Sequence, residues 1–245
     1  LSRAVVGLSR RYIATLLAVT ISAAVPLMAG SPKLDKNQAY FFSSAEKVSA
    51  AMITAPLPRG EFALVTATFY PVAYRPHDGS GRQILPVIGL QWWVSPNLAV
   101  VGGLGSGLSP QDGGLTGQQV VQMLRIGLRY LPESLTLGPF MPEITFVQNG
   151  IEGLPDYRLT WNELTLAYGA KIGSVNVAGA LVLMFQSVFP RSTAKAPDVP
   201  GKLEATTRIL ALSAGCDLFH WLRVSVQAKV NPGFITGGVQ LSLAI

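Results

Sequence analysis

The chain has 245 residues, of which 49% are hydrophobic and 13% charged, with a mean hydropathy of +0.38 and a formal net charge of +6. Soluble domains carry about 25% charged residues, so much of this surface is expected to be covered by something other than water. Arg3, Arg10 and Arg11 fall within residues 1–30 and leave 16 basic against 13 acidic residues beyond them; with no basic cluster interleaved with aromatics, a nucleic-acid surface is not expected.

Residues 1–30 read as an export signal. The three arginines precede an apolar stretch from Tyr12 to Met28, and small residues follow at Ala29, Gly30 and Ser31. Cleavage after Ala24 puts Ser22 and Ala24 in the small-residue positions, whereas cleavage after Gly30 puts Met28 in one of them; an uncleaved anchor helix is the alternative. No Cys follows the apolar run, so lipoprotein processing lacks an acceptor. Residues 31–60 form a separate stretch. Within it, Ser43 to Met52 predicts a short helix with a Ser ahead of Glu46 as a capping pattern, ended by Pro56, Pro58 and Gly60. This segment is read as a periplasmic lead-in or small plug, with plain disorder as the other reading.

Beyond it no run of about eighteen apolar residues could make a spanning helix. The apolar excess is spread over short segments broken by Gly, Pro, Asn and Asp. The closed β-barrel is the other fold that satisfies every backbone polar group inside lipid. From Glu61 the apolar period is mostly two, as strands require. Strands are predicted near 61–75, 83–94, 98–106, 118–130, 135–147, 157–171, 175–189, 203–217, 221–230 and 235–245. In the ninth, Leu222, Val224, Val226, Ala228 and Val230 share one face, while Trp221, Arg223, Ser225, Gln227 and Lys229 share the other. The fourth and the last alternate in the same way. The connections alternate too: Pro76 to Arg82, Ser106 to Thr116, Asn149 to Asp156 and Pro190 to Lys202 are long, whereas Ser95 to Asn97, Pro132 to Ser134, Ile172 to Ser174 and Asp217 to Phe219 are tight. Only Asn231-Pro232-Gly233 departs from this rhythm. Residues 61–245 are therefore read as an all-β, closed antiparallel transmembrane barrel of about ten strands, with short periplasmic turns and longer extracellular loops.

Enzymatic and metal chemistry find little support. Catalysis needs a nucleophile with a base, or carboxylates with a histidine, converging at one level. His77, in His77-Asp78-Gly79-Ser80, and His220 fall at opposite ends of the predicted barrel, and no His, Cys or carboxylate cluster suits a metal. Gly102 to Gly107 lacks the Lys-Ser/Thr ending of a phosphate loop. The lone Cys216 excludes an intramolecular disulfide. No catalytic residue, metal ligand or cofactor is expected.

The leader, the rhythm of connections and the alternating apolar end resemble the bacterial outer-membrane β-barrel superfamily over residues 61–245. The resemblance implies an outer-membrane location, contact with outer-membrane lipid, and recognition of the C-terminal strand by the barrel assembly machinery. Val239, Leu241 and Leu243 match the alternation of that assembly signal, but the chain ends in Ile245 where an aromatic is usual. An envelope protein partner is a further expectation.

Arg125, Arg129, Glu163, Lys171, Arg223, Gln227 and Lys229 fall on predicted inward faces. Small barrels are generally filled by side chains, so the expected function is a structural barrel with a largely filled polar interior. The alternatives are a narrow, weakly anion-preferring pore and a secreted soluble β-barrel or sandwich that binds a small apolar ligand. Trp92, Trp93, Tyr130, Tyr168, Phe219 and Trp221 lie near predicted turns and are read as interfacial aromatics.

Overall fold

A computed structural model describes residues 36–55, 65–74, 83–109, 119–154, 157–191, 201–231 and 233–244. The expected signal segment, His77 and most of the longer connections lie outside these residues. Among the described residues one helix, α1 (Lys36–Met52), precedes ten strands: β1 (Val65–Tyr74), β2 (Gln83–Ser95), β3 (Leu98–Ser109), β4 (Gln119–Tyr130), β5 (Met141–Glu152), β6 (Tyr157–Ile172), β7 (Val175–Pro190), β8 (Leu203–Phe219), β9 (Leu222–Asn231) and β10 (Phe234–Ala244). Each strand pairs antiparallel with its chain neighbours. β1 also pairs with β10, from Thr66↔Ala244 to Phe69↔Leu241, so the sheet returns on itself as a barrel.

The alternation seen in the sequence sorts residues between two faces, because successive side chains on a strand point to opposite sides. On β4, Leu124, Ile126, Leu128 and Tyr130 point outward and Met123 and Arg125 inward. On β9, Val226 is 55% exposed while its neighbours Ser225 and Gln227 are buried. The outward face is an apolar belt: Leu104, Leu124, Ile126 and Ile88 are each more than half exposed. On β8 it runs from Leu210 to Leu218, close to the span of about 9–11 residues that crosses a bilayer on a tilted strand. Among the described strand residues, the outward-facing charges (Glu152, Arg158, Glu204 and Arg208) all lie near one end of the barrel. That end carries the connections after β1, β3, β5, β7 and β9.

Two connections differ from expectation. The turn expected at Pro132 to Ser134 occupies Leu131 to Phe140, with a 3-10 turn at Glu133–Leu135 and a bridge between Leu137 and Phe140. Gly138, at φ 59°, reverses the chain inside that bridge, so the alternation that seemed to start a strand at 135 belongs to a small local hairpin. In contrast, the connection expected over Asn149 to Asp156 shortens to residues 153–156, because β5 continues to Glu152. The two-residue turn between β6 and β7 uses Gly173 at φ 65°, a conformation that glycine adopts without steric penalty.

α1 starts well before the predicted helix. The serines ahead of Glu46 lie within the helix and cap no end of it, and Ser44 shares a hydrogen bond with Tyr157 Oη (2.9 Å). The helix lies inside the barrel against β1, β6, β7, β8 and β10. Phe41, Phe42, Ala45, Val48, Met52 and Ile53 pack on Leu159, Trp161, Val182, Met184, Val188 and Ile209. The interior is therefore divided: an apolar sector holds the helix and a polar sector faces it. Expectation had made it largely polar, but an apolar helix face stays in the lumen only where the wall opposite is apolar too.

Candidate functional site: the filled lumen

The axial direction of α1 follows from its contacts. Near the end that bears the β5–β6 and β9–β10 connections, Phe41 stacks edge-on against Tyr157 with centroids 6.2 Å apart, and Asn231 Nδ2 donates to Glu46 Oε1 at 2.8 Å. The last carbonyls of a helix have no partner within it. Here lumen side chains supply the donors: Lys229 Nζ donates to Ala51 O (2.8 Å) and Ile53 O (2.7 Å), and Arg125 Nη1 donates to Met52 O (3.4 Å). Ala55 N donates to Gln227 Oε1 at 2.6 Å. Two cations at the helix C-terminus also oppose its negative dipole end.

Arg125 is shared. Its Nη2 bonds Glu163 Oε2 at 3.2 Å, with side-chain exposures of 7% and 1%. Glu163 Oε1 accepts from Trp161 Nε1 (2.8 Å) and Asn149 Nδ2 (3.0 Å), so β4, β5, β6 and the helix end meet at one carboxylate. Gly103 makes room for this cluster, since a Cβ there would lie 3.3 Å from Arg125 Cβ. Within the glycine run of β3, Gly103 therefore gives side-chain clearance.

Two further clusters sit toward the end with the short turns. Arg129 pairs with Glu143, donates to Gln91 Oε1 (2.9 Å) and lies over the Trp93 ring; Thr145 Oγ1 donates to Glu143 Oε1. Asp217 accepts from Arg223 Nε (2.5 Å), Lys171 Nζ (3.2 Å) and Asn176 Nδ2 (3.3 Å). The structure thus places Arg125, Arg129, Glu163, Arg223, Gln227 and Lys229 inward, but divides them among three clusters. Lys171 stands at the mouth, with a third of its side chain exposed.

Trp93 corrects the set of interfacial aromatics: it is buried in the lumen on Arg129, while adjacent Trp92 is 58% exposed outward. Consecutive strand residues cannot share a face. Tyr130, Phe219 and Trp221 are exposed, the last two stacked at 5.4 Å, and Tyr168 is half-buried. His220 lies in the exposed turn between them. Among the described residues no group of three His, Cys, Asp or Glu is placed to hold a metal ion.

Sequence reasoning missed Glu143, Asp217, Asn149, Trp161 and Tyr157. Glu143 and Asp217 do share inward parity with Thr145 and Ser213, a signal legible once each strand's phase is known. Tyr157 and Asn231 could not be found this way, because their partners belong to the helix.

No protein-family model matches the sequence, and no curated protein matches it either. Among solved structures, the chain is similar to OmpT, an outer membrane protein of Vibrio cholerae, with 12% identity and a TM-score of 0.34 over 76% of this chain and 62% of that one. A loop-deletion mutant of the same protein gives 11% and 0.35 over 76% and 60%. An active-site mutant of outer membrane phospholipase A from Escherichia coli gives 10% and 0.36 over 82% and 98%. The chain spans about three fifths of the OmpT chains it matches. These structures are all of outer membrane proteins.

Proposed function

We propose that the protein is an integral barrel of a bacterial outer membrane, a structural element whose lumen is closed by α1 and by paired polar side chains. The carrying observation is the inversion of ordinary protein surface. A charge-free apolar belt faces outward, while Arg125, Glu163, Arg223 and Lys229 are buried inside. A soluble barrel binding an apolar ligand would bury that belt and expose the charges, so the exposure pattern runs against that alternative. The long-connection end faces the cell exterior and the C-terminal strand β10 serves the assembly machinery in this reading. No catalytic activity forms part of it. A narrow anion-preferring pore is disfavoured by the helix seated in the lumen and by the pairing of Arg125, Arg129 and Arg223 with carboxylates.

The test is heat modifiability with membrane fractionation. A protein that stays with outer membranes and migrates differently on SDS gels before and after boiling supports the proposal. A soluble species with no heat-dependent shift overturns it. Conductance steps from the folded wild-type protein in a planar bilayer would replace the closed barrel by the pore.

A further inference from the structure

The outward wall carries a groove of about 680 Å³ between β2 and β6, toward the long-connection end. Pockets of roughly 300–1,000 Å³ accommodate organic ligands of moderate size. Two register rows explain its chemistry. One row runs Ile88, Leu104, Leu124, Gly150 and Thr160; the next runs Ser106, Gln122 and Glu152, to which Arg158 is joined by an ion pair. The first is apolar up to Gly150, and the second is wholly polar. The groove straddles the line where the apolar belt gives way to polar surface.

Gly150 is the gap in that wall. It stands outward, where a side chain would face hydrocarbon, and its backbone demands no glycine: a Cβ there would meet only Thr160 Cγ2, at 3.9 Å. A larger residue would fit, and its absence leaves the concavity open beside Leu124. At the upper lip, Glu152 takes Nε of Arg158 at 2.5 Å, and the guanidinium has two further nitrogens suited to an oxyanion. Around the rim the guanidinium of Arg158 and the ammonium of Lys202, itself paired with Glu204 at 2.5 Å, both lie 5.9 Å from the Phe189 ring centroid.

We propose that this groove seats one lipid with an anionic phosphate headgroup. An acyl chain lies over Gly150 between Leu104, Leu124 and Thr160, and the phosphate lies on Arg158 with Gln122 and Ser106 as neutral hydrogen-bond partners. A charge-free apolar floor beneath the Arg158–Glu152 pair, whose guanidinium keeps two nitrogens for an oxyanion, matches the two halves of such a molecule. This inference rests on the membrane location proposed above and deepens it from general lipid contact to one site.

The full-length protein, folded in detergent and shown to be heat-modifiable, is titrated with phosphatidylglycerol or with diacylglycerol, which lacks the phosphate, and its bound lipid counted by native mass spectrometry. One phosphatidylglycerol should be retained in preference to diacylglycerol by about tenfold, as one charge-assisted pair provides. Arg158→Ala should bring the two lipids to parity, Arg158→Lys should keep most of the preference, and Gly150→Trp should expel the bound lipid by filling its seat. Arg208→Ala, which removes another exposed outward cation outside the groove, should leave retention unchanged. An equal loss in Arg158→Ala and Arg208→Ala would mean diffuse attraction to a basic rim and would overturn the site. So would a heat-modifiable Gly150→Trp protein that binds lipid as before, or a wild type without preference. A wild-type protein that is soluble and not heat-modifiable refutes the membrane location itself, a result distinct from these.

Discussion

Lys229 holds the end of the lumen helix through two bonds, and its replacement by Met removes both while keeping an unbranched stem. The ammonium is buried to 1% exposure and donates to Ala51 O at 2.8 Å and Ile53 O at 2.7 Å. Each carbonyl left buried without a donor costs about 1–3 kcal/mol, and relief of the buried cation's desolvation offsets part of that. A net loss of about 2–4 kcal/mol follows for the seated helix. At 1.4 kcal/mol per tenfold, the fraction of molecules with the helix withdrawn rises roughly 30- to 700-fold. Ser49 is fully buried on α1, where its hydroxyl donates to Ala45 O at 2.7 Å. A Ser49→Cys reporter in a Cys216→Ser background should therefore react with a water-soluble maleimide only when the helix leaves the lumen. Its labelling rate in the folded, heat-modifiable protein should rise by that factor on Lys229→Met. An unchanged rate in a folded barrel would refute the reasoning, since the two bonds would then contribute nothing to seating the helix.

Three other outcomes are expected. Ile126→Arg, at a position 59% exposed on the outward face, should lower folding stability in lipid vesicles by about 2–4 kcal/mol; a soluble barrel would tolerate it, so an unchanged denaturation midpoint counts against the membrane location. Gly127→Ala should abolish the folded band on unboiled gels, because its Cβ would overlap Phe146 O and lie 2.7 Å from Val147 Cα on the paired strand, whereas Gly150→Ala should fold normally. Arg125→Ala should destabilise the barrel by about 3–5 kcal/mol by leaving Glu163 buried without its cation. Adding Glu163→Gln should recover a measurable part of that in a double-mutant cycle of denaturant midpoints, and strict additivity would show that the pair is not coupled.

Much of the wall was legible in the sequence because alternation is a local property. Leu222 to Val230 against Arg223 to Lys229 specifies two faces without knowledge of any partner strand, and the low charge content indicates which face meets a nonaqueous medium. Nearness to a turn, used without that rule, put both Trp92 and Trp93 in the belt; the pleat permits only one of them. The hairpin at Leu137 to Phe140 was mistaken for strand because its apolar residues continue the period, and only the left-handed turn at Gly138 shows the reversal.

By itself the sequence determined most of the strands, their two faces, and Arg125, Arg129, Glu163, Arg223 and Lys229 among the inward charges, since period and composition act over a few residues. The tertiary structure alone decided which charges meet. Arg125 and Glu163 are 38 residues apart, and Lys229 reaches carbonyls about 176–178 positions away. Such pairs exist only once the closed register of ten strands brings β4, β6 and β9 around a common axis. It also decided the place of α1. Nothing local to Lys36–Met52 distinguishes a lead-in outside the barrel from a plug within it; an apolar wall of matching shape and donors for the helix's last carbonyls arise only when distant strands share a lumen.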